Sequence, residues 1–592
     1  MRRILGAAAA CAVVGCTREP EPAKIAPAVA PVQTVEVKTE TLPRVRFVEV
    51  TKDAGIDFTH CSGATGAKLL PETMGSGVAF LDYDGDGDFD LFFVNACPWP
   101  GESAKPGAST TQKLYRNDGR GKFEDVTKAA GLDLTCFGMG VGVGDFDNDG
   151  DDDLYLTTVD GGRLLRNDGG KFLDVTAMMN AGAGGGWLTS AAFFDMDNDG
   201  DLDLFVGRYV NWSAEYDKKQ SFNLSGTNER SYGPPTAFNG SFCTLLRNDG
   251  DRFVDVSAAA GIQIKTPDLK APVAKSLGVA PYDIDGDGRV DIAVANDTVP
   301  NFLFHNLGDG KFDEIGIAAG MAFDQAGSAR GAMGIDWADF KNDGTLGLVI
   351  GNFANEMTAL YVTDEPETLQ FSDLANIYGL GAPTQPPMKF GIFFFDYDLD
   401  GRLDVLSTNG HLENDIAKVQ KSQTYEQAAQ LFWNTGKPGR SLFAQVGPEA
   451  AGPDLFTPIV GRGSAYADID GDGDLDVVLT SNGGRARLFR NDGGSRNHAV
   501  RLRLRGTKSN RDGIGARVTA KAGDRTQRRQ LFLAKGYMSS VEPVLTIGLG
   551  AAEKADELKI QWPSGKTTTL TNVKAGPLLV DEEKGPMPGT SK

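Results

Sequence analysis

The chain has 592 residues, with 80 Asp and Glu against 59 Lys and Arg and a net charge of −21. That length accommodates several domains or one large repeat array, and a 41% hydrophobic content allows a packed core. The acidic balance argues against binding nucleic acid or an anionic bilayer through a broad basic face.

Residues 1–16 read as an export signal. Arg2 and Arg3 precede an apolar run from Ile4 to Val14 that is too short to span a bilayer. Val13-Val14-Gly15-Cys16 resembles a bacterial lipobox, with Cys16 as the lipidated residue; the alternative is an ordinary secretory signal that contains a cysteine. Thr17 follows, so the Asp that retains lipoproteins at an inner membrane is absent, which points to a lipoprotein of the outer membrane or periplasm, or to secretion. Residues 17–44, rich in Pro, Ala, Glu and Lys, read as a flexible tether.

From residue 82 onward one acidic phrase recurs, spaced D-x-D-x-D-G-x-x-D. Six copies are complete. They are Asp82, Asp84, Asp86 and Asp90; Asp145, Asp147, Asp149 and Asp153; Asp195, Asp197, Asp199 and Asp203; Asp283, Asp285, Asp287 and Asp291; Asp396, Asp398, Asp400 and Asp404; and Asp468, Asp470, Asp472 and Asp476. Carboxylates at positions 1, 3, 5 and 9 converge only if the backbone curls tightly, which the Gly at position 6 permits. Four crowded carboxylates repel unless a cation lies between them. An all-oxygen donor set of this kind, with a main-chain carbonyl at position 7, suits Ca²⁺ better than magnesium, zinc or iron. About six Ca²⁺ ions are therefore expected. An EF-hand is excluded because position 12 is Phe93, Leu156, Val206, Val294, Ser407 or Leu479 rather than Glu. The fifth copy has Lys341 at position 3 and Gly347 at position 9. It is expected to hold no metal, either because the Lys341 ammonium replaces the ion or because the loop has drifted to a solvated turn.

Each loop lies between two short apolar runs, such as 77–81 and 91–94, and so reads as the turn of a β-hairpin. A third run follows, 113–119 and its equivalents (L-x-R-N-D-G), then a fourth, such as Phe123–Thr127. Four strands per loop predict a seven-bladed β-propeller over residues 45–496, all-β and calcium-looped. The last loop lacks a fourth run, and Phe47–Thr51 precedes the first loop without one. Pairing these two ends closes the ring and removes free sheet edges. Insertions at 211–240 and 409–432 interrupt the third and sixth blades, the latter with a helix-like stretch from Leu412 to Leu431. They read as functional loops or as a cap over the channel. Residues 497–583 read as a separate β-rich domain, basic through Arg528, and residues 584–592 as a disordered tail.

After Cys16 four cysteines remain, Cys61, Cys97, Cys136 and Cys243, which in an oxidising compartment could form two disulfides in any of three connectivities. The four histidines are His60, His305, His411 and His498. His411, beside the second insertion, is the best of them for acid/base work.

The acidic hairpin loops resemble FG-GAP/VCBS repeats, also found in the integrin α head. The segment from Gly506 and Asn510 through Asp512–Val518, Gly536-Tyr537-Met538-Ser539, Gly548–Gly550 and Trp562–Gly565 resembles the ASPIC/UnbV domain. Ser540 departs from the Gln expected after that Gly-Tyr-x-Ser. Together they resemble the cartilage acidic protein-like family. The resemblance implies an exported, calcium-binding, mostly non-catalytic protein, and some relatives carry an enediyne-biosynthesis label.

Two functional readings follow. One is a monomeric binding, adhesion or scaffold protein of the bacterial cell envelope that contacts protein or glycan, without nucleic acid. The other is a calcium-dependent polysaccharide lyase or hydrolase. The second needs placed acid and base groups. The sequence shows neither a Gly-x-Ser-x-Gly elbow nor a phosphate-binding loop.

Overall fold

The computed structural model describes residues 42–103 and 109–587. The expected signal, Cys16 and residues 17–41 of the tether lie outside the described residues.

Seven antiparallel sheets each carry one of the acidic loops between their first two strands. Blade 1 comprises Val78–Leu81, Asp90–Phe93, Lys113–Asn117 and Phe123–Asp125; blade 2 comprises Gly138–Gly144, Asp153–Thr158, Gly161–Asn167 and Phe172–Asp174. Blades 3 to 6 begin at Leu188, Ser276, Ala332 and Lys389. Blade 7 takes Gly461–Ala467, Asp476–Ser481 and Arg487–Asp492 from one end of the ring and Arg46–Glu49 from the other, with Phe47 opposite Asn491. The first strands of successive blades touch in chain order, and that of blade 7 touches that of blade 1. The ring is thus a closed β-propeller. The blades stack through their apolar faces: Phe80, Leu91 and Phe93 of blade 1 bury against Ala465, Val478 and Leu488 of blade 7.

The C-terminal domain is two four-stranded sheets. One contains His498–Arg505, Leu545–Gly550, Gly576–Asp581 and Gly585–Pro586; the other contains Arg517–Ala522, Arg525–Gln530, Lys554–Gln561 and Thr567–Lys574. From between these sheets a finger, residues 531–542, enters the propeller channel. Gly536 exchanges two main-chain hydrogen bonds with Ile335 of blade 5, at 2.9 and 3.0 Å, and Val141 of blade 2 donates to Met538 O at 3.2 Å. Ser540 pairs in parallel with Ala79, so blade 1 gains two short strands from the finger. Glycines on the channel wall make room. A Cβ on Gly77 would lie 2.2 Å from Met538 O, and one on Gly140 would lie 2.7 Å from the Met538 side chain. Tyr537 is fully buried, edge-on to Phe390 at 4.9 Å. The Gly-Tyr-x-Ser motif is therefore the tip of a plug.

Three expectations are corrected. Residues 412–431 form no helix: they hold one 3-10 turn, Ile416–Lys418, and Gln430–Asn434 is the third strand of blade 6. Tertiary hydrogen bonds override the local preference, because Gln427 pairs with Ile459 and takes the Met388 N–H on its side chain. The tail begins later than residue 584, since Gly585–Pro586 pairs with Val580–Asp581, while residues 588–592 lie outside the described residues. The four cysteines are unbonded, and Cys243 is buried beside Arg208, apart from the other three.

Candidate metal centres and the face that covers them

The loops share one geometry. In all seven, the position-1 carboxylate accepts the N–H of the position-6 glycine: Gly150 donates to Asp145 at 2.7 Å, Gly200 to Asp195 at 3.0 Å, Gly288 to Asp283 at 3.0 Å and Gly401 to Asp396 at 2.8 Å. These glycines sit at φ between +92° and +103°, a region closed to most side chains. The position-5 carboxylate accepts the N–H two residues on, as Asp149 does from Asp151 at 3.0 Å and Asp287 does from Arg289 at 2.8 Å.

The position-9 aspartate is the structural hinge of each of the six complete repeats. Its two oxygens accept main-chain N–H groups from the loop and from the third strand. Asp153 takes Phe146 at 3.0 Å and Asn167 at 2.7 Å, and Asp476 takes Ile469 at 2.9 Å and Asn491 at 2.8 Å. The same asparagine then reaches back to the preceding blade's loop. Asn167 Nδ2 donates to Tyr83 O at 2.8 Å, Asn248 to Phe146 O at 2.8 Å, Asn306 to Met196 O at 2.9 Å, Asn434 to Phe340 O at 2.7 Å, Asn491 to Tyr397 O at 2.8 Å and Asn117 to Ile469 O at 2.8 Å. The Arg-Asn-Asp-Gly phrase is thus an inter-blade tie. Blade 5 has Thr363 where the tie would stand, with Tyr361 opposite Leu348, so the joint between blades 4 and 5 lacks it.

The donor sets fit a hard divalent cation. Carboxylate oxygens of Asp82, Asp84 and Asp86 lie within 4.8 Å of one another, as do those of Asp145, Asp147 and Asp153, of Asp195, Asp197 and Asp199, of Asp283, Asp285 and Asp287, and of Asp396, Asp398 and Asp404. Asp84 Oδ1, Asp283 Oδ1, Asp396 Oδ1 and Asp470 Oδ1 are buried with no hydrogen-bond partner, which a cation would satisfy. Burial drives the metal-free carboxylates upward, Asp90 and Asp153 to about 9 and Asp145 to about 8. A divalent ion would hold these groups ionised. In the fifth loop, Asp339 is met by Arg528 at 3.3 Å, while Lys341 turns to Asp343 at 3.5 Å. An arginine from another domain, rather than the loop's own lysine, provides the cation there.

The C-terminal domain sits over this loop face. Arg503 Nη1 and Nη2 both donate to Asp82 Oδ2 at 3.0 Å. Arg517 donates to Asp283 Oδ2 and Gly286 O, each at 2.6 Å, and Gln530 pairs with both main-chain groups of Asp283. Arg501, in a buried pair with Glu542, lies 3.7 Å from Asp468, whose N–H donates to Glu542 at 3.1 Å. Asp512 accepts the Asp145 N–H at 3.2 Å. Sequence reasoning missed these residues; the alternation of Arg501, Arg503 and Arg505 along one strand was their only local signal.

A C-terminal segment docked on a ring of acidic hairpins matches two known patterns. The FG-GAP-like repeat matches residues 82–156, 145–206 and 283–350, and the ASPIC and UnbV pattern matches residues 506–585. The chain joins FG-GAP-like repeats to an ASPIC and UnbV domain. It is 30% identical to Cartilage acidic protein 1 of Homo sapiens over 330 residues, 54% of this chain and 44% of that protein. It is also 30% identical to the Xenopus tropicalis protein of that name, over 49% of this chain and 42% of the relative. The chain thus spans less than half the length of these curated relatives. Among solved structures, an N-acetylglucosamine-recognising lectin of Agrocybe aegerita aligns at 15% identity and TM-score 0.39, over 69% of this chain and 87% of the lectin.

On the propeller face opposite this FG-GAP and ASPIC contact, residues 60–75 meet both insertions. Asp217 of the first insertion accepts the Leu70 N–H at 3.0 Å and pairs with Arg230 at 3.0 Å; Lys68 pairs with Glu413, and Lys418 bridges to Glu229 at 2.7 Å. Glu72 is buried, accepts the Trp99 indole N–H at 3.0 Å, and is lifted by burial to about 7. Trp99 and Trp212 lie 5.3 Å apart. Of the histidines, His60 and His411 are buried, and desolvation lowers both, to about 3 and about 4. His411 Nδ1 accepts the Glu413 N–H at 3.0 Å. His305 pairs with Asp291 at 2.9 Å, and His498 is exposed.

Proposed function

We propose that the chain is an exported binding or scaffold protein of the cell envelope, anchored through Cys16, whose propeller is stiffened by about six calcium ions. The observation that carries this reading is the placement of the acidic loops. Six of the seven are wired by an asparagine into a joint between blades, and the C-terminal domain covers the loop face, so the ions serve architecture rather than a substrate. That leaves the opposite face, with the two insertions, Trp99 and Trp212, for contact with a protein or glycan. Function does not follow from the propeller alone, so the reading rests on these sites.

Capture from envelope extract with the mature protein, with and without calcium, tests it. A partner retained in calcium and lost on chelation supports the reading. Unsaturated, ultraviolet-absorbing product released from acidic polysaccharides would replace it with the lyase. At the level of one blade, Asp84→Ala is expected to remove one ion and to loosen blade 1 chiefly, because repeats couple to their neighbours. Native mass spectrometry checks the count and hydrogen exchange checks the location; an unchanged ion count would contradict a site at Asp84.

A further inference from the structure

We infer that Arg503 and Arg517 of the C-terminal domain are positioning residues for two of the calcium sites, so that the six sites fall into unequal classes and the first and fourth loops bind more tightly when the domain is docked. This rests on the calcium reading above. The observation is an asymmetry around the ring. The position-1 aspartates of the first and fourth loops, Asp82 and Asp283, each give one oxygen to a guanidinium of the C-terminal domain, at 3.0 and 2.6 Å. Those of the second, third and sixth, Asp145, Asp195 and Asp396, have no ion pair among the described residues, and that of the seventh meets Arg501 only at 3.7 Å.

The contacts are built to orient. Arg503 sets both terminal nitrogens on a single oxygen of Asp82, and Arg517 clasps the carboxylate and the loop carbonyl of Gly286 together. Both aspartates are buried, so the carboxylate plane is fixed by few partners and the arginine decides which oxygen faces inward. Hydrogen-bond partners behind a metal ligand typically change metal affinity about 10–100-fold when removed. The coupling is reciprocal: whatever the docked domain adds to calcium affinity at these loops, calcium adds to docking. The degenerate fifth loop shows the same design carried further, since Arg528 stands on Asp339 where the donor set is incomplete.

The test uses the full mature chain, calcium alone as ligand, and the double variant Arg503→Ala with Arg517→Ala. Native mass spectrometry and calorimetric titration of the wild-type protein should give about six ions in two affinity classes. In the variant, two of them should weaken about 10–100-fold while the other four bind as before; those four also report that the ring is folded. Limited proteolysis should cut the C-terminal domain of the variant at calcium levels that protect it in the wild type. Six ions bound unchanged in the variant, tighter binding at the two loops, or uniform weakening at all six would each overturn the inference while leaving structural calcium intact. Absence of calcium from the wild-type protein would overturn both.

Discussion

Adding a chelator to the purified protein is expected to lower its Tm by many degrees, and by more at pH 8 than at pH 5. Each ion that binds only the folded chain stabilises it by mass action, about 2.7 kcal/mol for a site held at a hundred times its dissociation constant. Several such sites add up to more than most single substitutions can remove. The pH dependence follows from the buried carboxylates. Without metal, Asp90 and Asp153 are raised by burial to about 9, against roughly 3.9 for an unfolded aspartate. Between those values the folded chain holds more protons than the unfolded chain, so the stability of the metal-free protein falls as pH rises across that window. Calcium cancels the penalty by replacing the protons. Differential scanning fluorimetry with and without EDTA at the two pH values measures both effects. A Tm indifferent to chelation would remove the structural role of the ions, and a larger EDTA effect at pH 5 would contradict the carboxylate account.

The second large effect is expected at the plug. Tyr537→Ala in the intact chain should cost about 3–5 kcal/mol, the range for deleting a large buried aromatic. The ring is fully buried among Met74, Met139, Met333 and Phe390, contributed by several blades, so the void has no single neighbour able to collapse into it. Tyr537→Phe should cost about 1 kcal/mol or less, because the hydroxyl donates to a weak acceptor, Met74 Sδ, at 3.4 Å. Urea unfolding of the two variants separates ring from hydroxyl. If Tyr537→Ala unfolds with the wild-type midpoint, the finger does not occupy the channel in solution.

The ring and its acidic loops were legible from sequence because every determinant is local. Gly87 lies five residues from Asp82, and the strands flank the loop directly. The ties were not legible in the same way. Asn167 is visible as part of a recurring phrase, but its partner Tyr83 lies 84 residues back, and only closure of the ring places them together. Arg503 is farther still, 421 residues from Asp82. Its strand could be read as basic on one face, yet nothing nearby says what that face meets. The supposed helix at 412–431 failed for the converse reason: a locally helical pattern was overridden by distant partners, Lys68 and Ile459 among them. The Gly-Tyr-x-Ser motif marked the family without a mechanism, because its constraint comes from a channel wall built by other blades.

The joint without an asparagine tie gives the circle a direction of failure. Blades 4 and 5 meet there without the shared hydrogen bond, beside a loop whose donor set is incomplete, and it is there that Gly536 and Arg528 fasten the ring from the inside and from below. The C-terminal domain is then the clasp of an otherwise self-locking bracelet. A circular permutant opened at the exposed Gln325–Ser328 turn, with the native ends joined, would place its new termini between blades 4 and 5 and shift the burden of ring closure onto that domain.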